Sequence, residues 1–108
     1  MLVISNFSKG DTVTVKLSTG EEIVGRFDSS SADDLKLIKP TVLTLNPQNG
    51  QAMLIPWLMS IDTGSSEPIS IKGSQIVATA RPNKGLSDGY IQSTSGIAPA
   101  SSLEGLKL

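Results

Sequence analysis

VTVKLSTGEEIVGRFD, residues 13–28, reads as two short β-strands joined by a tight turn, and the fold class follows from it. Val13, Val15 and Leu17 alternate with Thr14, Lys16 and Ser18, the period-2 pattern of a strand with one wet and one buried face. Ser18-Thr19-Gly20-Glu21 supplies the turn, with Gly20 free to take a positive φ. The second strand, Glu22 to Asp28, carries Ile23, Val24 and Phe27 around an interior Gly25. A glycine there weakens a flat strand, so it marks a sharp bend or a close approach of another part of the chain. A bent hairpin of this kind begins to close a small sheet on itself.

Upstream, Leu2, Val3, Ile4 and Phe7 lack helical spacing and fit either a first strand or a loose arm. The four-residue apolar start without a basic leader argues against a signal peptide or membrane anchor. Downstream, Ser29 to Asp34 is a polar loop of small turn-forming residues. Leu35 to Leu45 resumes as a strand that Pro40 must kink or confine to an edge. Asn46-Pro47-Gln48-Asn49-Gly50 is the strongest turn signal in the chain and folds the strands on either side into a hairpin.

The return strand, Gln51 to Ile61, is apolar on both faces: Met53, Ile55, Trp57 and Met59 on one, Ala52, Leu54 and Leu58 on the other. Such a strand must be covered twice, either by another subunit or by the chain's own C-terminal tail. Asp62 to Pro68 reads as a loop, Ile69-Ser70-Ile71 alternates, Lys72-Gly73-Ser74 breaks the pattern, and Ile76-Val77-Ala78 resumes it. From Asn83 the chain is rich in Gly, Ser and Pro; Ser87 could cap a short helical turn through Ile91, and much of Thr94 to Leu108 is expected to be mobile.

Composition narrows the chemistry. In 108 residues there is room for one modest core, with no cysteine for disulfides or thiolate metal sites and no histidine for acid–base work. The chain also lacks a phosphate-cradling glycine loop or a metal-ligand cluster, so neither a catalytic residue nor a cofactor or metal is expected. Nine basic against ten acidic residues give a net charge of -1, so polyanion binding has to be local. A soluble intracellular protein is the default expectation.

Set end to end, these pieces are five short strands with a Lys-Gly step between the last two, an order that resembles the Sm-like family of ring-forming RNA-binding proteins. Val13, Val15, Leu17, Gly20, Ile23, Gly25, Phe27, the Ser29 to Asp34 loop and Leu35-Lys36-Leu37 are similar to the first family signature. Ile69-Ser70-Ile71-Lys72-Gly73-Ser74-Gln75-Ile76-Val77 is similar to the second, with Lys for Arg. The likeness covers residues 11 to 81 and leaves the tail unexplained. It implies an all-β fold, a small, strongly bent five-stranded antiparallel barrel over residues 1–82, with an extended hairpin and a flexible C-terminal tail over 83–108.

The resemblance implies a non-catalytic homo-oligomeric ring of roughly five to seven copies in the cytoplasm, closed by pairing of fourth and fifth strands between neighbours. Leu54, Ile55, Trp57, Ile76 and Val77 would then lie at the subunit interface. Single-stranded RNA is the implied partner, met near a central pore by Ser30, Asp33, Asp34, Lys72, Gly73 and Ser74; no membrane or small-molecule substrate is implied. Small Sm-like proteins also occur in bacterial viruses, which would place such a chain in the host cytoplasm.

Three departures qualify the likeness. The loop is about a residue short, so Asp34 stands where the family keeps a base-reading asparagine and Ser30 where it keeps an aspartate; a carboxylate accepts hydrogen bonds only and repels phosphate. Lys72 keeps a charge but loses the planar guanidinium. The segment between the signatures is long, so either the Leu35 to Ile61 hairpin projects from the barrel or the 62–68 loop interrupts the fourth strand. Plainer readings stand beside these: Asp33-Asp34 as a solvated turn, Lys72-Gly73 as a bulge, Trp57 as a core residue, Glu21-Glu22, Arg26 and Lys36 as surface charges. A structural ring that binds other proteins without nucleic acid is the alternative function, and an enzyme ranks last.

Overall fold

A computed structural model describes residues 7–61 and 64–95. Its elements run β1 (Thr12–Leu17), β2 (Glu22–Ser30), β3 (Asp34–Leu45), β4 (Ala52–Pro56), β5 (Ile69–Lys72), a single 3-10 turn at Gly73–Gln75, β6 (Ile76–Ala80) and α1 (Lys84–Ser95). All strand pairs are antiparallel, in the order β4-β3-β2-β1-β6, with β5 also paired to β3. The fold is therefore small and all-β, as expected, but among the described residues the sheet has six strands rather than five and does not close into the barrel that the resemblance implied.

The opening hairpin forms as its residues dictate. Leu17 N–H donates to Glu21 O at 2.9 Å and Gly20 N–H to Leu17 O at 2.9 Å, with Gly20 at φ +99°. Only glycine takes that left-handed position without a steric cost. Gly25 serves the close approach foreseen for it: a Cβ there would lie 3.0 Å from Leu37 Cδ1, 3.2 Å from Leu37 Cβ and 3.4 Å from Pro40 Cα. Here the register between β2 and β3 slips, with Lys39 and Pro40 opposite the single Gly25. Pro40 thus sits at a bulge, where its missing N–H costs no ladder bond, and the preceding Lys39 adopts φ 50°.

That bulge divides β3 in two. Asp34 to Leu37 pair with β5, and Thr41 to Leu45 pair with β4, on the same side of β3. The fourth strand is interrupted, as the second of the two arrangements allowed, but it breaks earlier than the 62–68 loop: the strand expected over Gln51 to Ile61 ends at Pro56, and pairing to β3 resumes at Ile69. The hairpin beyond it is extended only at its tip, where Leu43, Thr44 and Leu45 pair with β4 past the last β2 partner. Its turn uses Asn46 twice: the backbone O accepts Gly50 N–H at 2.7 Å and the side-chain O accepts Gln48 N–H at 2.9 Å.

Two apolar clusters lie on opposite faces. The larger joins eight buried residues, Val13, Val15, Leu17, Ile23, Phe27, Leu35, Leu37 and Ile71, with Phe7, Val42, Trp57 and Ile76 at its margin. The smaller joins Val24, Leu54, Leu86 and Tyr90. At about 2 kcal/mol for each large buried side chain, the first cluster outweighs the second, so the sheet stands on its own core and α1 is an addition to it.

The helix is longer than the turn expected from Ser87 through Ile91, and its cap is Asn83, not Ser87. The Asn83 side-chain O accepts Leu86 N–H at 2.8 Å, satisfying a donor that the first turn leaves free. Two glycines and several Ser/Thr give α1 little intrinsic helicity, so docking holds it: Leu86 and Tyr90, one turn apart, are both buried. Asn83→Ala is expected to cost about 1 kcal/mol, measured by urea unfolding. Residues 1–6 and 96–108, which include most of the expected arm and mobile tail, lie outside the described residues.

Candidate nucleic-acid interface

The 29–34 loop and the Lys72-Gly73 step, 38 residues or more apart in sequence, form one surface at one end of the sheet. The β3–β5 register sets Lys72 opposite Asp34, and Gly73 N–H donates to Asp33 O at 2.7 Å. Within the loop, Ser31 N–H donates to Asp34 O at 2.9 Å, and the Ser31 hydroxyl donates to Asp34 Oδ1 at 2.6 Å. The Ser70 hydroxyl donates to the other carboxylate oxygen, Oδ2. Both oxygens of Asp34 are thereby engaged, Oδ1 in closing the loop and Oδ2 in tying it to β5. The Ser31 and Ser70 hydroxyls, followed by the charges of Lys36 and Lys72, hold its pKa below the usual 3.8, so it is ionised at neutral pH.

Of the residues assigned to this surface by resemblance, Ser30, Asp33, Lys72 and Ser74 are exposed and Asp34 and Gly73 half-buried, and the contacts that join loop to step run through Asp33, Asp34, Lys72 and Gly73. The surface extends to the β1–β2 turn through the Ser18 hydroxyl, which donates to Gln75 Oε1 at 2.8 Å, and Ser18 N–H, which donates to Gln75 O at 2.8 Å. Its charges are mixed: Lys36 and Lys72 act on Asp34, Asp33 is exposed beside it, and Lys9 lies 3.6 Å from Asp28. Its described residues include no aromatic ring on which a base could stack. Among the described residues there is no cluster of three or more acidic side chains placed to hold a metal ion.

The residues assigned to a subunit interface divide. Leu54 is buried under α1 with Leu86 and Tyr90, so the chain covers part of its own second apolar face. Trp57 and Ile76 are half-buried at the margin of the larger cluster, and Trp57 N–H donates to Pro40 O at 3.1 Å. Ile55 and Val77 are exposed, Val77 at 67%. Val77 lies on β6, whose outer edge has no strand beside it among the described residues; the outer edges of β4 and β5 are likewise open.

Ser31 and Ser70, the residues that fix Asp34, were not singled out in the sequence. Ser31 was legible from its Ser-x-x-Asp spacing, a local turn motif. Ser70 was not, because it lies 36 residues away and meets Asp34 only through the sheet. No family model matches the chain, and no curated protein matches it. Among the described residues no helix is long and apolar enough to cross a membrane.

Proposed function

We propose that the protein is a non-catalytic binding module that assembles with copies of itself into a ring and holds single-stranded nucleic acid, RNA first, at the 29–34 loop and Lys72-Gly73 surface. The observation that supports this reading most is the joining of loop and step through the Asp34–Lys72 register and the Gly73–Asp33 hydrogen bond. One lysine beside two carboxylates is a weak phosphate site. Repeated around a ring, such sites act together on one threaded strand, and avidity replaces strength at each. Open edges on β6 and on β4 and β5 suit edge-to-edge pairing between copies, which would cover Val77 and Ile55.

A titration of U-rich and A-rich single-stranded RNA at 50 and 200 mM salt tests the reading. With roughly five phosphate contacts per ring, affinity falls about a hundredfold between those salts. Lys72→Ala weakens binding at least tenfold and flattens the salt slope, while Asp34→Asn removes a repulsive charge and tightens it. No binding at low salt, or binding indifferent to Lys72→Ala, overturns the nucleic-acid reading. The balanced charge of the surface and the full engagement of Asp34 favour the second reading, a ring that binds other proteins. On that reading neither substitution changes RNA binding.

A further inference from the structure

The turn between β3 and β4 carries a reactive pair that the candidate binding surface does not use. Of the chain's four asparagines, Asn49 is the one followed by glycine. An asparagine side-chain amide carbon is open to attack by the backbone nitrogen of the next residue, and glycine there puts no side chain in the way. Asn46 precedes Pro47, whose nitrogen has no hydrogen to lose, while Asn6 and Asn83 precede Phe7 and Lys84, whose side chains crowd the nitrogen. Asn83 is further held as the cap of α1. Asn49 and Gly50 are both exposed, and a Cβ added to Gly50 would meet nothing within 4 Å, so solvent reaches the pair.

We propose that Asn49 is a self-modification site, at which the Gly50 nitrogen converts the side-chain amide to aspartate or isoaspartate at a rate that the folded turn holds down. Hydroxide takes the Gly50 amide proton, and the nitrogen bonds to Asn49 Cγ. The Cγ–Nδ2 bond then breaks, the leaving nitrogen takes a proton from water to depart as ammonia, and hydroxide is regenerated beside a cyclic imide. Water adds to either imide carbonyl and opens the ring. One opening gives aspartate; the other gives isoaspartate, whose main chain runs through Cγ and is one carbon longer. The turn opposes the first step. Gly50 N–H donates to Asn46 O at 2.7 Å, Gln51 N–H donates to Asn49 Oδ1 at 2.9 Å, and Asn49 Nδ2 donates to Gln51 Oε1 at 3.3 Å. Attack needs the nitrogen to leave the Asn46 carbonyl and the amide to turn away from Gln51. Either product loses the Nδ2 donor and gains a negative charge. The longer isoaspartate backbone also misaligns the adjoining pairs, Leu45 with Ala52 and Thr44 with Met53, and Ala52 is buried, so the sheet is disturbed at β4.

Incubation of the full chain at mildly alkaline pH, followed by peptide mass mapping with chromatographic separation of aspartate and isoaspartate, tests this. Conversion is expected at position 49 ahead of positions 6, 46 and 83. Asn46→Ala removes the side-chain oxygen that holds Gln48 N–H, loosens the turn around Gly50 and is expected to raise the rate about tenfold, the worth of one hydrogen bond. Unfolding the natural sequence in guanidinium frees the same nitrogen and is expected to raise the rate at least as much, whatever the fold of the variant. In the isoaspartate form, amide hydrogen exchange is expected to quicken at residues 43–45 and 52–54 and to stay unchanged in β1. Conversion led by another asparagine, a rate that neither Asn46→Ala nor unfolding raises, or unchanged exchange in the β3–β4 hairpin overturns the proposal. None of these outcomes depends on nucleic-acid binding or on ring assembly.

Discussion

Replacing Tyr90 with alanine is expected to destabilise the protein by about 3 kcal/mol and to release α1 from the sheet. The Tyr90 ring is fully buried between Val24, Leu54 and Leu86, in a cluster that holds few other large groups. Its hydroxyl bridges Ile38 O and Lys39 O, each at 2.9 Å, and so ties the helix to the bulge at which β3 changes partners. Burial pushes the hydroxyl pKa up to about 12, which extends into the alkaline range the protonated state that the bridge needs. Tyr90→Phe keeps the ring but removes the one proton that the Ile38 and Lys39 carbonyls share, and is expected to cost about 1–2 kcal/mol. Urea unfolding followed by helical and β signals separately checks both. In Tyr90→Ala the helical signal is lost first and the β signal persists, because the larger cluster contains no α1 residue. A cost below about 1 kcal/mol for the alanine variant would contradict this role.

Gly25→Val is the second large effect, at about 3 kcal/mol. A valine suits a strand by propensity, so any loss reports on space rather than on backbone preference. The first carbon of a side chain already meets Leu37 Cβ at 3.2 Å and the Pro40 backbone at 3.4 Å, and the two methyl groups beyond it must displace the bulge itself. Gly25→Ala is expected to cost much less, because the Leu37 side-chain end can give way and the alanine restricts the unfolded chain. Thermal melts of the two variants against the natural sequence give the comparison. Equal melting temperatures for Gly25→Val and the natural sequence would show that β3 does not approach β2 at this point.

The sheet was legible because its signals are local. Alternation marked Val13, Val15 and Leu17 as buried, Gly20 and the Asn46 to Gly50 run marked the turns, and Gly25 marked a close approach. Pro40 signalled a disruption in β3, and the structure resolves it as a bulge that separates two partners rather than an edge. The helix was largely missed because Gly85, Gly89 and its serines read as tail, and only the Leu86–Tyr90 spacing betrays a docked face. The candidate surface was legible in its members but not in its wiring. Pairing of Asp34 with Ser70 and of Lys39 with Thr94 is made by the tertiary fold, across 36 and 55 residues. Sequence order carries little trace of either.

The open sheet is the feature on which the functional proposal depends, since among the described residues a single copy leaves the outer edge of β6 unpaired and Val77 exposed. Copies joined edge to edge would complete the sheet and gather the Lys72 sites. Light scattering coupled to size exclusion, on the full chain at micromolar concentration, tests this most directly. The account predicts one discrete mass that corresponds to a closed ring of roughly five to seven copies and does not change on tenfold dilution. A monomer mass of 11.3 kDa under those conditions would contradict it.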